Sequence, residues 1–225
     1  MQNYRLALKL FIIFMLIILL FIPQASLMGL VGERASWRAE AYSSIEQSWP
    51  GSQTLAGPVL VVPYSLTFNT KETVTEKDGT TREVAKTQTV DKRLIMIPKQ
   101  LDMQSKLDSE TRSRGIYAVP IYNSSLQVTG KFETQALVDL INEQKNNQLQ
   151  LYSPYLSVLV RDQRGIAAPP ELIWNQQKLA FNPGTNLPNA SAGMYAKIPD
   201  FSTELNQQFS FNFELHLRGM SSMNF

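Results

Sequence analysis

Apolar residues are spaced in three ways along this chain, and each spacing predicts a different kind of element. From Leu10 to Ile22 they are continuous. Trp37, Ala41, Ile45 and Trp49 recur every fourth residue, which is one face of an amphipathic helix. From Val59 onward they come in short groups. The last of these, Phe209, Phe211, Phe213, Leu215 and Leu217, alternates strictly with Ser210, Asn212, Glu214 and His216. A period of two describes a strand with one face on a core and one in water.

The continuous run predicts a membrane anchor. A helix needs about 20 predominantly apolar residues to cross a bilayer core. The run reaches that length if Leu6, Ala7 and Leu8 join it, with Lys9 snorkelling to the headgroups. Ala25, Leu27, Met28, Leu30 and Val31 extend it on the other side, past an expected kink at Pro23. A cleaved signal peptide is the rival reading, since a charged start followed by an apolar stretch fits it too. Pro23, however, occupies a position that cleavage reserves for a small residue, and apolar character resumes after Ser26. An uncleaved anchor is therefore preferred. Arg5 and Lys9 hold the N-terminus in the cytoplasm under the positive-inside rule, while Arg34 and Arg38 on the far side are offset by Glu33 and Glu40.

These patterns divide the chain into a cytoplasmic tip and transmembrane anchor helix at 1–31, an amphipathic stalk helix at 32–50 and a β-rich domain at 51–225. Pro50-Gly51 ends the stalk. The stalk is expected to pack its tryptophans on the following domain, in preference to lying at the interface with Trp37 among headgroups. Val59 to Val62 reads as a strand whose edge or end is marked by Pro63, which cannot donate to a ladder. Glu72 to Val90 reads as a solvated hairpin turning at Asp78-Gly79. Leu94 to Ile97 reads as a buried strand ending at Pro98. Met103, Ser105 and Leu107 alternate with polar neighbours. Gly115 to Tyr122 and Leu126 to Phe132 read as two strands joined near Asn123-Ser124-Ser125.

Thr134 is expected to cap an internal helix with Leu137, Leu140 and Ile141 as its apolar stripe and Asn146-Asn147 at its end. Leu149 to Val160 is strand-like and broken at Pro154. Leu172 to Trp174 and Leu179 to Phe181 flank Asn175 to Lys178 as a second hairpin, and Pro183 to Gly193 is a loop. The fold class expected is mainly β with minor α: an anchor helix and a stalk helix followed by an antiparallel, sandwich-like domain. The sequence stops soon after the last strand, and a truncated chain is expected.

Composition narrows the chemistry. About 190 residues follow the anchor, enough for one domain with a real core or two small ones. The net charge is +2, which Arg5 and Lys9 alone supply, so no nucleic-acid footprint is expected. There is no cysteine, hence no disulfide framework and no thiolate metal site. The one histidine, His216, sits on the polar face of a strand, where a metal site would need several converging ligands. No nucleophile elbow, Ser-x-x-Lys signature or P-loop occurs. Asp162, between Arg161 and Arg164, reads as an exposed ion pair ahead of a turn at Gly165. No catalytic residue, cofactor or metal is predicted, and an enzyme is not expected.

The wording after the anchor carries a resemblance. Gly32-Glu33-Arg34 and Arg38 are followed by Trp49, Gly51, Gln53, Leu55, Gly57-Pro58 and Val62-Pro63. Arg114-Gly115-Ile116-Tyr117 with Tyr122 comes next, then Gly130 with Phe132, Asp162 with Arg164-Gly165-Ile166, Pro183-Gly184, and Leu215-His216-Leu217-Arg218-Gly219. In this order behind an N-terminal anchor, these strings resemble the periplasmic region of the CreD family of bacterial inner-membrane proteins. The resemblance implies one N-terminal transmembrane helix, a large periplasmic domain and further transmembrane helices near the C-terminus, which this chain lacks. It also implies a role in envelope integrity, in the output of a two-component regulator, in the β-lactam response and in colicin tolerance. It brings no catalytic residues.

Physical roles for the matching residues are structural. Gly57, Pro58 and Pro63 are expected to shape the approach to the first strand, and Gly115 and Gly165 to serve turns or close backbone contacts. Arg34, Arg38 and Arg114 are expected to pair with Glu33, Glu40 or Asp162, and Tyr117 belongs to the same matching strings. The partners expected are the lipid bilayer and an envelope protein of unknown identity. The alternative is a membrane-anchored periplasmic ligand-binding or sensing domain, with a pocket lined by Tyr152, Tyr155, Trp174 and Tyr195. A signal-anchored hydrolase ranks last.

Overall fold

The computed structural model describes residues 2–75, 81–145, 147–199 and 207–225, with the side chains of 2–7, 22–23, 25–26, 74–75 and 81 outside the description. The expected turn at Asp78-Gly79 and the helix end at Asn146 therefore lie outside the described residues. The chain forms two compact units. One comprises Met1–Ser48 with Arg112–Val119, and the other Trp49–Thr111 with Pro120–Phe225.

The first unit is dominated by helix α1, Gln2–Glu46. It runs without a break through Pro23 and through the boundary expected between anchor and stalk. Every side chain from Leu10 to Phe21 is exposed, between 47% and 68%. Among the described residues, no helix is long and apolar enough to cross a membrane. The stretch from Leu8 to Phe21 would measure about 21 Å at the helical rise, against a bilayer core of about 30 Å. The side chains of Leu6, Ala7, Ile22 and Ala25, which would lengthen it, are not described. Further along α1, Ala41 and Ile45 are buried but Trp37 is 54% exposed. The helix stops at Glu46, so Trp49 does not continue its face. The spacing of four thus persists past the point where the helix has already given way to a turn.

The second unit is built from strands, two of which, β3 and β4, run on into the first unit at the hairpin they share. In chain order they are β1 (Gln53–Thr75), β2 (Thr81–Met96), β3 (Gln100–Arg114) and β4 (Tyr117–Glu133), then helix α2 (Gln135–Glu143). There follow β5 (Gln148–Leu151), β6 (Tyr155–Val160), β7 (Glu171–Trp174), β8 (Gln177–Ala180), β9 (Asn182–Pro183), β10 (Gly193–Lys197), β11 (Gln208–Met220) and β12 (Met223–Asn224). One sheet has the order β12-β1-β6-β10-β9, with β2 and β5 also paired to β1; the other has the order β3-β4-β11-β7-β8. Pairing is antiparallel except between β1 and β12.

The two sheets enclose one core, which makes this unit a β-sandwich. Leu60, Val62, Leu156 and Val158 come from the first sheet, and Leu126, Phe132, Phe211 and Phe213 from the second. Phe132 packs on Phe211 at 5.1 Å between ring centres, and Trp174 stacks on Phe209 at 5.5 Å. Each large apolar side chain fully buried this way contributes on the order of 1.5–3 kcal/mol. β11 reproduces its sequence pattern in full, with Phe209, Phe211, Phe213, Leu215 and Leu217 buried and the intervening residues exposed.

Four local expectations are corrected. Pro63 lies inside a long strand opposite Arg93, not at an end. Its carbonyl accepts a hydrogen bond from Tyr152 N at 2.9 Å, so its nitrogen faces the same side. There β6 has stopped at Val61↔Tyr155 and β5 begins at Tyr64↔Leu151, and the gap at Ser153-Pro154 needs no donor. The two strands expected around Asn123-Ser124-Ser125 are one, because these residues pair with Arg218, Leu217 and His216 of β11. Leu94 to Ile97 is not wholly buried: Met96 faces the core, while Ile95 and Ile97 are exposed. Thr134 holds the N-cap position of α2 as expected, but its hydroxyl makes no capping bond and donates to the Gln207 carbonyl instead.

Candidate functional site

The residues singled out in the sequence fall into three places. The first is within the helix-containing unit. The turn Gly115-Ile116 between β3 and β4 lies against α1, where Tyr117 Oη donates to the Arg34 carbonyl at 3.3 Å. Gly115 adopts φ +60°, the left-handed conformation that a two-residue connection requires. A cleft of about 610 Å³ opens beside this contact. Leu30, Arg34 and Trp37 line it from the helix, and Arg114, Ile116 and Tyr117 from the turn. Glu33 also lines it and accepts from Trp37 Nε1 at 3.4 Å. Arg38 extends over the Tyr42 ring, 5.5 Å from its centre. The hydrogen bond to Tyr42 raises the Arg38 pKa, so the guanidinium is held more firmly in its charged form.

The second place is a hydrogen-bonded clamp in the sandwich. Gln53, at the start of β1, is fully buried. Its amide donates to the carbonyls of Asp162 at 3.2 Å and Arg218 at 3.1 Å, and its oxygen accepts from Asp162 N at 3.3 Å. Asp162 caps the short 3-10 turn Gln163–Gly165 by accepting from Arg164 N. Its carboxylate is gripped by the Arg164 guanidinium at 2.7 and 3.1 Å and accepts from Gly51 N at 3.1 Å. The hydrogen bond from Arg164 is the main reason its pKa is lowered, against an opposing desolvation. Asp162 therefore pairs with Arg164. Gly165 is buried at this point because a Cβ there would strike the Gln53 amide and the Arg218 carbonyl. Tyr122 Oη donates to the Ser222 carbonyl at 2.7 Å, and burial raises its pKa. Trp49 Nε1 donates to the Gly219 carbonyl at 3.0 Å, and Arg218 lies over the Trp49 ring.

The third place is the bulge at Gly57-Pro58. Between Ala56 and Val59 the register with β6 shifts by one, so β1 carries an extra residue. Gly57 takes φ +100° there, close to the Ser157 carbonyl.

Neither the clamp nor the bulge exposes a reactive constellation. The clamp satisfies backbone groups where β1, the 3-10 turn and the end of β11 meet. The aromatic residues expected to line a pocket are dispersed. Trp174 is buried in the core, Tyr155 and Tyr195 pack edge to face at 6.0 Å, and Tyr152 borders a shallow 230 Å³ recess with Pro63 and Arg93. His216 is exposed, 3.7 Å from Glu214. The role of Gln53 was not readable from composition, since a glutamine opening a strand ordinarily reads as a solvated position.

The sequence profile of the family described as inner membrane protein CreD matches residues 5–225. A curated relative, the inner membrane protein CreD of Escherichia coli (strain K12), is 26% identical over 211 residues, which is 92% of this chain and 43% of that protein. The chain thus spans less than half the length of this relative.

Proposed function

The chain belongs to the CreD family of inner membrane proteins, and from that premise we propose that it is a non-enzymatic envelope protein. Residues 1–31 form the cytoplasmic tip and membrane anchor, residues 32–50 the stalk, and residues 51–225 a periplasmic domain serving envelope integrity or the stress response. The observation that carries this reading is the unbroken exposure of apolar side chains from Leu10 to Phe21 on α1, resumed at Leu27, Met28, Leu30 and Val31. Twelve consecutive large apolar side chains facing outward on a helix are stable only against lipid or another apolar surface. The family's name specifies the inner membrane.

Reporter fusions test the topology. A phosphatase active only outside the cytoplasm, fused behind Phe225, is expected to be active and to remain with membranes through a carbonate wash. Activity of a cytoplasm-dependent fluorescent reporter at the same junction would overturn the proposed orientation. For the role, loss of the gene is expected to increase killing by β-lactams and detergent leakage. The full-length gene carrying His216→Ala should restore resistance. Unaltered envelope behaviour after deletion would refute the role.

A further inference from the structure

We propose that the turn between β3 and β4 docks on the surface of the phospholipid bilayer, with Ile116 inserted at the interface and Arg34 and Arg114 set against lipid phosphates. This deepens the anchor reading above and rests on it. The helical rise places Leu30 about 30 Å beyond Leu10, which is the thickness of a bilayer hydrocarbon core. Leu30 is therefore at the far boundary when Leu10 is at the near one. Ile116 lines a cleft that begins at Leu30, and its neighbour Tyr117 bonds the Arg34 carbonyl, about 6 Å beyond Leu30, so the turn lies close to that boundary.

Ile116 is 87% exposed, which is unfavourable in water for so large an apolar side chain. Leu30, which lines the same cleft, is also exposed, at 56%, and Leu27 one turn before it at 62%, so the apolar surface at the cleft leads into that of the helix. Just above this level the character changes in the order that a membrane interface requires. Arg34 follows one turn after Leu30, Arg114 lines the cleft opposite it, and Trp37 lies exposed about 10 Å beyond Leu30, at the depth of an aromatic belt. The cleft also holds two carboxylates: Glu33, which accepts from Trp37 Nε1, and Glu40, about 15 Å beyond Leu30 and farther from the boundary than Arg34. A cation near an anionic lipid surface strengthens partitioning by roughly fivefold, so Arg34 and Arg114 at this level add to the insertion of Ile116. The occupant is the lipid surface itself, since the apolar patch continues directly from the helix that the membrane surrounds.

The absence of native cysteine permits a depth measurement. The full chain would be reconstituted in vesicles containing phosphatidylglycerol, carrying Ile116→Cys, Leu19→Cys or Ser43→Cys labelled with an environment-sensitive fluorophore. Nitroxide lipids would place the quencher either near the headgroup or deep in the acyl chains. The label of Ile116→Cys is expected to lose fluorescence to the shallow quencher, and that of Leu19→Cys to the deep one. The label of Ser43→Cys, about 20 Å beyond Leu30 along the helix, should lose little to either. Charge reversal by Arg34→Glu with Arg114→Glu should weaken shallow quenching at position 116 and leave deep quenching at position 19 unchanged. If position 116 behaves like position 43 while position 19 is quenched, the docking inference fails and the anchor stands. If position 19 is not quenched, the anchor reading fails and the inference with it. Shallow quenching that survives charge reversal would overturn the part assigned to the arginines.

Discussion

Gln53 and Asp162 close on each other in both directions. The Gln53 amide donates to the Asp162 carbonyl at 3.2 Å while its oxygen accepts from the Asp162 N–H at 3.3 Å. A second donation to the Arg218 carbonyl joins the start of β1 to the end of β11. Because Gln53 is fully buried, deleting its amide takes the partner from an N–H and two carbonyls in a part-buried site. Each buried group left unsatisfied costs about 1–3 kcal/mol. Gln53→Ala is expected to destabilise the sandwich by about 3 kcal/mol, read as a lower unfolding midpoint of the full chain in detergent. Gln53→Glu should be destabilising as well, because a carboxylate cannot donate to the two carbonyls. A variant within about 0.5 kcal/mol of the parent would show that water replaces the clamp.

Asp162 gives the clamp an acid dependence. Its pKa is lowered, chiefly by the hydrogen bond from Arg164 and further by Gly51 N–H. A depressed carboxylate contributes stability that is complete above its unfolded pKa and is lost as pH falls through the folded value. The unfolding midpoint is therefore expected to fall on acidification below the ordinary aspartate range. Asp162→Asn should start from a lower midpoint at neutral pH and show a shallower fall. Glu133 works in the same sense, held down by Lys99 and then Gln208, but its exposure to solvent makes the contribution small. An Asp162→Asn chain with the parent's acid profile would assign the dependence elsewhere.

Two glycines separate two kinds of constraint. Gly57 is bound by conformation: φ +100° disfavours any L side chain, and a Cβ would also press on the Ser157 carbonyl. Gly165 is bound by space alone, facing the Gln53 amide and the Arg218 carbonyl. Gly57→Ala is expected to cost about 1–3 kcal/mol through backbone strain. Gly165→Ala is expected to cost about 1–3 kcal/mol through overpacking. The two are distinguished by a second substitution. In the background Gln53→Ala the cost of Gly165→Ala should shrink, since part of the obstruction is gone, while that of Gly57→Ala should add in full. Additivity in both cases would remove Gln53 as the cause.

How much of this was legible follows from what each signal measures. Periodicity reports which face is dry, so β11 and the break at Pro154 were readable, and so was the mainly β class. It does not report strand length. β4 was divided because Asn123-Ser124-Ser125 looks like a turn, yet Ser124 is buried against Ser105, whose hydroxyl lies 2.9 Å away, and Ser125 donates to Glu214. Polar residues satisfied across strands carry no sequence mark of their partners. Pro63 was misplaced for a related reason: whether a missing donor matters depends on the opposite strand, and here that strand has a gap. The spacing of four from Trp37 to Trp49 overran the helix because Trp49, half-buried, is held by a different contact, its N–H on the Gly219 carbonyl. Glu33, Arg34, Arg114, Gly115 and Tyr117 were named by separate resemblance strings, and that they line one cleft was not legible, because no periodicity links the helix to a turn so distant in sequence.

The turn between β7 and β8 offers a gain in stability instead of a loss. The sequence suggested a four-residue connection from Asn175 to Lys178, but the strands pair as far as Trp174↔Gln177, leaving Asn175 and Gln176 alone in the turn. Both have positive φ, +45° and +72°, as a two-residue hairpin turn with matching twist demands. Asn175 tolerates this conformation and is held in place, because its Oδ1 accepts from Ser210 N at 2.8 Å and from Ser210 Oγ at 3.2 Å. Gln176 has neither advantage, since its long side chain is exposed and a left-handed conformation costs a non-glycine residue about 1 kcal/mol or more. Gln176→Gly relieves that strain but adds freedom to the unfolded chain, an opposing effect of about 0.4–1 kcal/mol. The expected net change is a stabilisation of about 0.5 kcal/mol, the difference of these two effects. Asn175→Ala, by contrast, should destabilise by about 1–2 kcal/mol, since it loses both the tolerance of positive φ and the bond to Ser210. Unfolding midpoints of the two variants moving in opposite directions would establish the two-residue turn. A midpoint lowered by Gln176→Gly would show instead that the glutamine is not strained there.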